Sequence, residues 1–177
     1  MFTIAAKYLS CFYFWVVLNF MSFTREPRVD ARLSPSLPRR ATAIIELPDG
    51  VLMTAPASGR FTLPGGVSQR GELRSQALLR HIREHTGLRI NSMLYLFDHV
   101  TQHNAHKVYL CIAQGQARLQ EGGARLTVAD SPDSTMDIHI ESRAILRRYA
   151  KLRGETGPKS DAVRAFLQLA RYIAKVD

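Results

Sequence analysis

Gly65 to Leu88 reads GGVSQRGELRSQALLRHIREHTGL, and the fold is decided by how this stretch is divided. Leu63-Pro64-Gly65-Gly66 is a breaker cluster that ends an extended run, and Gly71-Glu72 opens a segment with helical periodicity. A loop is therefore expected to feed a helix. Glycines let a backbone approach a ligand closely, and the N–H groups and positive dipole at a helix start favour anions such as phosphate. The periodicity predicts a helix over Glu72 to Thr86, with Gly87 as its C-terminal stop. At about 100° per residue, Arg80, His81, Glu84 and His85 share a polar face, while Leu78, Leu79 and Ile82 point elsewhere. Four groups able to bind metal or phosphate then project together. The plainer reading of the same spacing is a solvated helix face beside a core stripe.

Gly66, five residues, Glu72, seven residues, Arg80, the aliphatic Ile82, Glu84 and then Gly87-Leu88 resembles the Nudix box, G-x5-E-x7-R-E-U-x-E-E-x-G-U, where U is a bulky aliphatic residue. Phe61-Thr62-Leu63-Pro64-Gly65 looks like its usual lead-in. The resemblance covers Arg40 to Leu152 and implies an α/β fold, an α/β/α sandwich with a mixed β-sheet. It also implies a hydrolase that cleaves the pyrophosphate bond of a nucleoside diphosphate linked to another moiety, using water and a divalent cation, usually Mg²⁺ or Mn²⁺. By that resemblance Glu84 is a metal-ligating and catalytic acid, Arg80 orients the box acids, Glu72 is the first box Glu, and Gly65 and Gly66 form the phosphate-side loop.

Two positions depart from the pattern. His81 and His85 stand where the family has Glu, and His85 replaces the acid most closely tied to metal binding. Mg²⁺ prefers oxygen ligands, whereas neutral imidazole suits ions such as Zn²⁺, so the metal set expected here is Glu84, His85 and His81, with Zn²⁺ as an alternative cation. Either the preferred metal has changed, or the domain is a non-catalytic binder of a nucleotide or phosphate ligand that serves as a sensor or regulator. A remote third reading is a zinc peptidase, because His81-Ile82-Arg83-Glu84-His85 fits H-x-x-E-H. That reading needs a further ligand, for which Glu121, Asp133 or Glu141 would have to serve.

A chain of 177 residues with 46% hydrophobic content supports one ordinary core. Its two cysteines, Cys11 and Cys111, lie too far apart for a disulfide framework and fit free thiols in a reducing, cytoplasmic setting. The net charge of +9 suits a small polyanionic nucleotide derivative. Arginines are spread along the chain without the aromatic interleaving of single-strand binders, so no specific nucleic-acid site is expected.

Residues 1–23 form an apolar leader, 24–39 a basic linker, and 40–177 the Nudix-like domain. The apolar core of the leader, Tyr8 to Phe23, is about sixteen residues against the roughly twenty a membrane span needs. It lacks a small-residue cleavage site. Met21 is a candidate start, in which case no membrane contact is expected. Ala41 to Leu47, Pro48-Asp49-Gly50 and Val51 to Thr54 read as a hairpin. Further strands are expected at Ile90 to Val100, Lys107 to Ala113 and Met136 to Ile140.

Ser142 and Ser160 are candidate caps of two C-terminal amphipathic helices, the second of which packs inward or makes a homodimer contact, leaving monomer and homodimer both open. His99, His103 and His106 surround a turn without a closed zinc pattern and are expected to be solvated. His139 is expected on the polar side of its strand. Asp130, Asp133 and Asp137 form an acidic group from which no single residue stands out.

Overall fold

A central strand that is apolar at consecutive positions must be covered on both faces, and Arg39–Leu47, here β1, is buried from Ala41 to Ile45. The computed structural model describes residues 37–118 and 124–176, with side chains in the last helix to Tyr172. The expectations for the leader, for most of the linker, for Cys11 and for Glu121 lie outside these residues. The other elements are β2 (Gly50–Ala55), β3 (Gly65–Val67), α1 (Arg74–Thr86), β4 (Arg89–Val100), β5 (Ala105–Gln114), β6 (Arg125–Ala129), α2 (Ile140–Gly154) and α3 (Pro158–Val176).

The strands form a mixed sheet in the order β4-β5-β1-β2-β6. β1 runs parallel to β5, with Ala41 opposite Lys107 and Ile45 opposite Cys111. Its other edge is shared. The first half pairs antiparallel with β3, Gly66 opposite Ala41, and the last residues turn back through Pro48-Asp49 onto β2, Leu47 opposite Gly50. The predicted hairpin is present, and so is the antiparallel pair β4–β5. Side chains alternate along β1. Ala41, Ala43 and Ile45 join Leu78 and Ile82 of α1 in one core layer. Thr42 and Glu46 face the other way, toward α2, where Glu46 accepts a 2.8 Å hydrogen bond from Tyr149. Ile145, Leu146 and Tyr149 of α2 and Val163 and Phe166 of α3 are buried, and the Ser160 hydroxyl ties α3 to the end of α2 by donating to the Leu152 carbonyl at 2.8 Å. The arrangement is the expected α/β/α sandwich.

Several local expectations are corrected. α1 begins at Arg74 rather than Glu72, because the Glu72 carboxylate is turned back onto the Gln69 N–H and Arg80 instead of entering the first turn. Leu79 is exposed, and Ala77 takes its place in the core stripe. Met136 to Ile140 is not a strand. Ile138 makes one parallel bridge with Phe61, and the last strand of the sheet is the earlier β6, paired with β2. Neither predicted serine is a cap. His139 caps α2, while Ser142 is buried inside it and accepts from the Leu63 N–H at 3.0 Å. Among the described residues no helix is long and apolar enough to cross a membrane.

Candidate functional site

α1 lies against β3 and β1 through Ala77, Leu78 and Ile82, which turns the opposite arc of the helix outward. Gly87 ends the helix in the left-handed region at φ 70°, its N–H donating to the Arg83 carbonyl, as its position in the sequence predicts. The helical pitch places Arg80, His81, Glu84 and His85 on adjoining turns.

Arg80 is held by a fork. Its Nε and one terminal nitrogen each donate to Glu72 at 2.9 Å, while the other terminal nitrogen reaches Glu84 at 3.4 Å. Paired, planar hydrogen bonds of this kind fix a guanidinium more firmly than a point charge would. The hydrogen bonds from Arg80 and from the Gln69 N–H keep the Glu72 carboxyl down to a pKa of about 2. Glu72 is thus an ionised clamp, and Arg80 is carried to the acid one turn farther along the helix.

His81 Nδ1 lies 3.4 Å from His85 Nε2 and 3.9 Å from a Glu84 oxygen. The three residues offer ligand atoms within 4.8 Å of one another. The imidazoles are nearly parallel, with ring centres 5.6 Å apart. On its other side His81 Nε2 is 3.0 Å from the Val67 carbonyl. Gly66 explains how a ring fits there, since a Cβ built on it would meet His81 Nε2 at 2.2 Å. Gly65 is equally confined, for its Cβ would fall 2.1 Å from the Ala41 carbonyl oxygen. The two glycines therefore lie within β3, pressed against β1 and His81. They are part of a short strand, which corrects the expectation that Leu63-Pro64-Gly65-Gly66 ends an extended run and begins the loop.

Mg²⁺, the ion the resemblance implies, calls for an octahedron of hard oxygens. The group present offers two imidazoles and one carboxylate, and the oxygens of Glu72 are engaged by Arg80 and Gln69. These residues do not fit Mg²⁺. The further ligand a zinc peptidase needs is also not brought to them among the described residues. Asp133 pairs with Arg147, Asp137 pairs with Arg60, and Glu141 is bound up elsewhere.

That other location is a feature the sequence did not reveal. On the α2 face, His106 is buried rather than solvated, with Nδ1 2.9 Å from the Thr42 hydroxyl and Nε2 3.2 Å from Glu141. Glu141 also accepts from the Thr101 hydroxyl at 2.6 Å and from the Asn104 amide at 3.1 Å. Burial lowers the His106 pKa and outweighs the pull of Glu141. For Glu141, burial works to raise the pKa, but hydrogen bonds from Thr101 and Asn104 and the nearby imidazole hold it below the usual value. The cluster lines a cavity of about 210 Å³ together with Arg40, Leu63 and His139. His99 stacks edge-on against His106, and of the turn histidines only His103 is exposed. Cys111 is a free, buried thiol whose pKa burial pushes up, a core residue beneath α1.

A family model, the NUDIX domain, matches residues 36–139. A protein from Chromobacterium violaceum assigned to the nudix hydrolase family has a crystal structure that is 66% identical over 82% of this chain and 98% of its own, with a TM-score of 0.76. The fold is shared with a MutT NUDIX hydrolase from Burkholderia pseudomallei, 24% identical over 62% of this chain and 95% of that one, TM-score 0.54. It is shared also with an ADP-ribose pyrophosphatase from Streptococcus suis, 15% identical over 68% of this chain and 94% of that one, TM-score 0.55. No curated protein matches the chain.

Proposed function

This chain belongs to the Nudix hydrolase family, and on that premise we propose that it cleaves the pyrophosphate bond of a small nucleoside diphosphate derivative at an altered metal site built on α1. The observation that carries this reading is the intact Glu72–Arg80–Glu84 relay, in which a bidentate clamp presents a guanidinium to the one retained box acid on the outer helix face. Arg80 orients Glu84 and adds positive charge where a diphosphate would lie. Gly65 and Gly66 hold the backbone of β3 close beside that face. A divalent cation, which Nudix hydrolases generally use, supplies charge neutralisation and water activation when bound. His81, Glu84 and His85 are the residues proposed to hold it.

The test is hydrolysis of dinucleotides, nucleotide sugars and nucleoside triphosphates by the purified chain, each with Mg²⁺, Mn²⁺ or Zn²⁺. Glu84→Gln is expected to lower kcat on the order of 100-fold for the substrate that turns over. The exchange of two box acids for His81 and His85 favours a second reading, a domain that binds such a ligand and acts as a sensor. Saturable nucleotide binding without turnover under any of these metals would replace the first reading with the second.

A further inference from the structure

We infer that His81, His85 and Glu84 form a three-ligand site for a borderline divalent transition ion of the Zn²⁺ class, in place of the hard, oxygen-bound ion of other Nudix hydrolases. The inference concerns the same site as the hydrolase reading and rests on that reading only for what the bound ion would do.

Three observations converge on it. The first is tautomeric. A carbonyl oxygen only accepts, so the 3.0 Å approach of His81 Nε2 to the Val67 carbonyl puts the ring hydrogen on Nε2 and makes Nδ1 an acceptor. The Nδ1 lone pair takes the His85 Nε2 hydrogen at 3.4 Å and would take an ion in its place once His85 carries its hydrogen on Nδ1. That lone pair is aimed at His85 and Glu84. A metal-binding histidine characteristically has its far nitrogen tied to a carbonyl in this way, which fixes both the tautomer and the plane of the ring.

The second is spacing. Two nitrogens bound to a tetrahedral Zn²⁺ at about 2.0–2.1 Å lie about 3.3–3.4 Å apart. The two imidazole nitrogens here are separated by 3.4 Å. The Glu84 oxygen, 3.9 Å from His81 Nδ1 and within 4.8 Å of the third ligand atom, also accepts from Arg80 at 3.4 Å and belongs to a side chain that is 51% exposed, so that it has room to turn toward the same point.

The third is the donor set and its surroundings. Two histidines and a glutamate are a known catalytic zinc combination that leaves a fourth position open, and here the opening faces solvent because Glu84 and His85 are exposed. Two neutral imidazoles and one carboxylate leave a bound dication with a net positive charge, which suits an anionic phosphate. His81 is also the least mobile ligand, 16% exposed and lying flat on Gly66, where any larger residue would displace it.

The experiment is metal binding by the full chain after treatment with a chelator, measured by calorimetry with Zn²⁺ and by the visible spectrum with Co²⁺. The expected result is one Zn²⁺ per chain, not displaced by millimolar Mg²⁺, and the absorption of four-coordinate Co²⁺. His85→Ala and, separately, His81→Ala should each weaken Zn²⁺ binding on the order of 100-fold and remove the Co²⁺ bands, with the thermal unfolding of the metal-free variants confirming that they fold. The double change His81→Glu with His85→Glu should instead confer Mg²⁺ binding. Unchanged Zn²⁺ affinity in both alanine variants, or displacement of Zn²⁺ by Mg²⁺ in the parent, overturns the inference. The two readings fail separately: tight Zn²⁺ binding without hydrolysis removes the enzyme and keeps the site, whereas Mg²⁺-dependent hydrolysis indifferent to His85→Ala does the reverse.

Discussion

A histidine meets a glutamate on each face of the sheet, and the two meetings follow opposite logic. On the α2 face, His106 and Glu141 have side chains 6% and 14% exposed, and every ring nitrogen and carboxylate oxygen has a partner among Thr42, Thr101, Asn104 and one another. On the α1 face, Glu84 is half exposed, and His81 keeps one nitrogen on Val67 while the other looks toward His85 and Glu84. A closed network joins β1, β5, the turn between β4 and β5, and α2, and it has no capacity left over for a ligand. An incompletely satisfied cluster at the surface costs little to maintain because water completes it, and it can exchange that water for an ion. The same pair of residue types is thus a fastener in one place and a receptor in the other.

The largest expected effect separates these roles by stability. Glu141→Leu leaves the His106 ring and the Asn104 amide without their acceptor in a mostly buried setting, and the Thr101 hydroxyl with only the longer contact to the Asn104 carbonyl, which is expected to cost about 2–4 kcal/mol in urea unfolding. Glu84→Leu removes an exposed carboxylate and one long contact to Arg80, and should cost less than about 1 kcal/mol. Equal losses at the two sites would erase the distinction.

Next in size is Gly66→Ala. The backbone there is one that alanine accepts, so the new methyl acts only by pushing on His81 Nε2. Overpacking against the tip of this one ring, which can give way only by leaving the Val67 carbonyl, should cost about 1 kcal/mol of stability. Freed from the Val67 carbonyl, His81 loses its fixed tautomer, and Zn²⁺ affinity should fall about 10–100-fold. A melting temperature lowered as far as in Glu141→Leu, with metal binding intact, would make His81 a packing residue.

The receptor side was far more legible in the sequence than the fastener. Gly66, Glu72, Arg80, Glu84 and Gly87 lie close together in the chain, so the Gly87 stop follows from its position after the helix, while the resemblance implied that Arg80 orients the box acids, a role consistent with its pairing to Glu72. The helix start was misplaced because propensity does not show that Glu72 would spend its carboxylate on Arg80 and Gln69. β6 does alternate, Arg125-Leu126-Thr127-Val128, but it is only five residues long and its place in the sheet comes from pairing with the distant β2, which no local pattern shows. Met136 to Ile140 shows that alternation, yet only Ile138 in it is buried, held by a single bridge to Phe61. His106 meets Thr42 only because β5 runs parallel to β1, and meets Glu141 only because α2 returns over that edge. Contacts between residues so distant in the chain leave no local signal. Without them, a histidine next to a turn looks solvated.

The smallest effect concerns acid. His106 is held below its ordinary pKa of 6.5 chiefly by burial, so the folded protein refuses a proton that the unfolded chain accepts as the pH falls through that value. The unfolded state then binds more protons, and stability is full above 6.5 and declines from there down through the folded pKa. Glu141, also held below its usual value, loses its contribution at lower pH, as the pH falls through its own folded pKa. The groups facing this imidazole are Glu141, Arg40 and His99, and His99, lowered by burial and by Arg148, adds to the same slope. The melting temperature of the metal-free chain is therefore expected to drop between pH 7.5 and pH 5. His106→Gln, which retains an amide donor for Glu141 but does not titrate, should flatten the curve and leave only the share due to His99. An unflattened curve would mean that His106 takes up its proton in the folded state as readily as in the unfolded one. The network would then be an adaptable, solvated cluster like the one on the opposite face, and the contrast between fastener and receptor would reduce to a difference in depth.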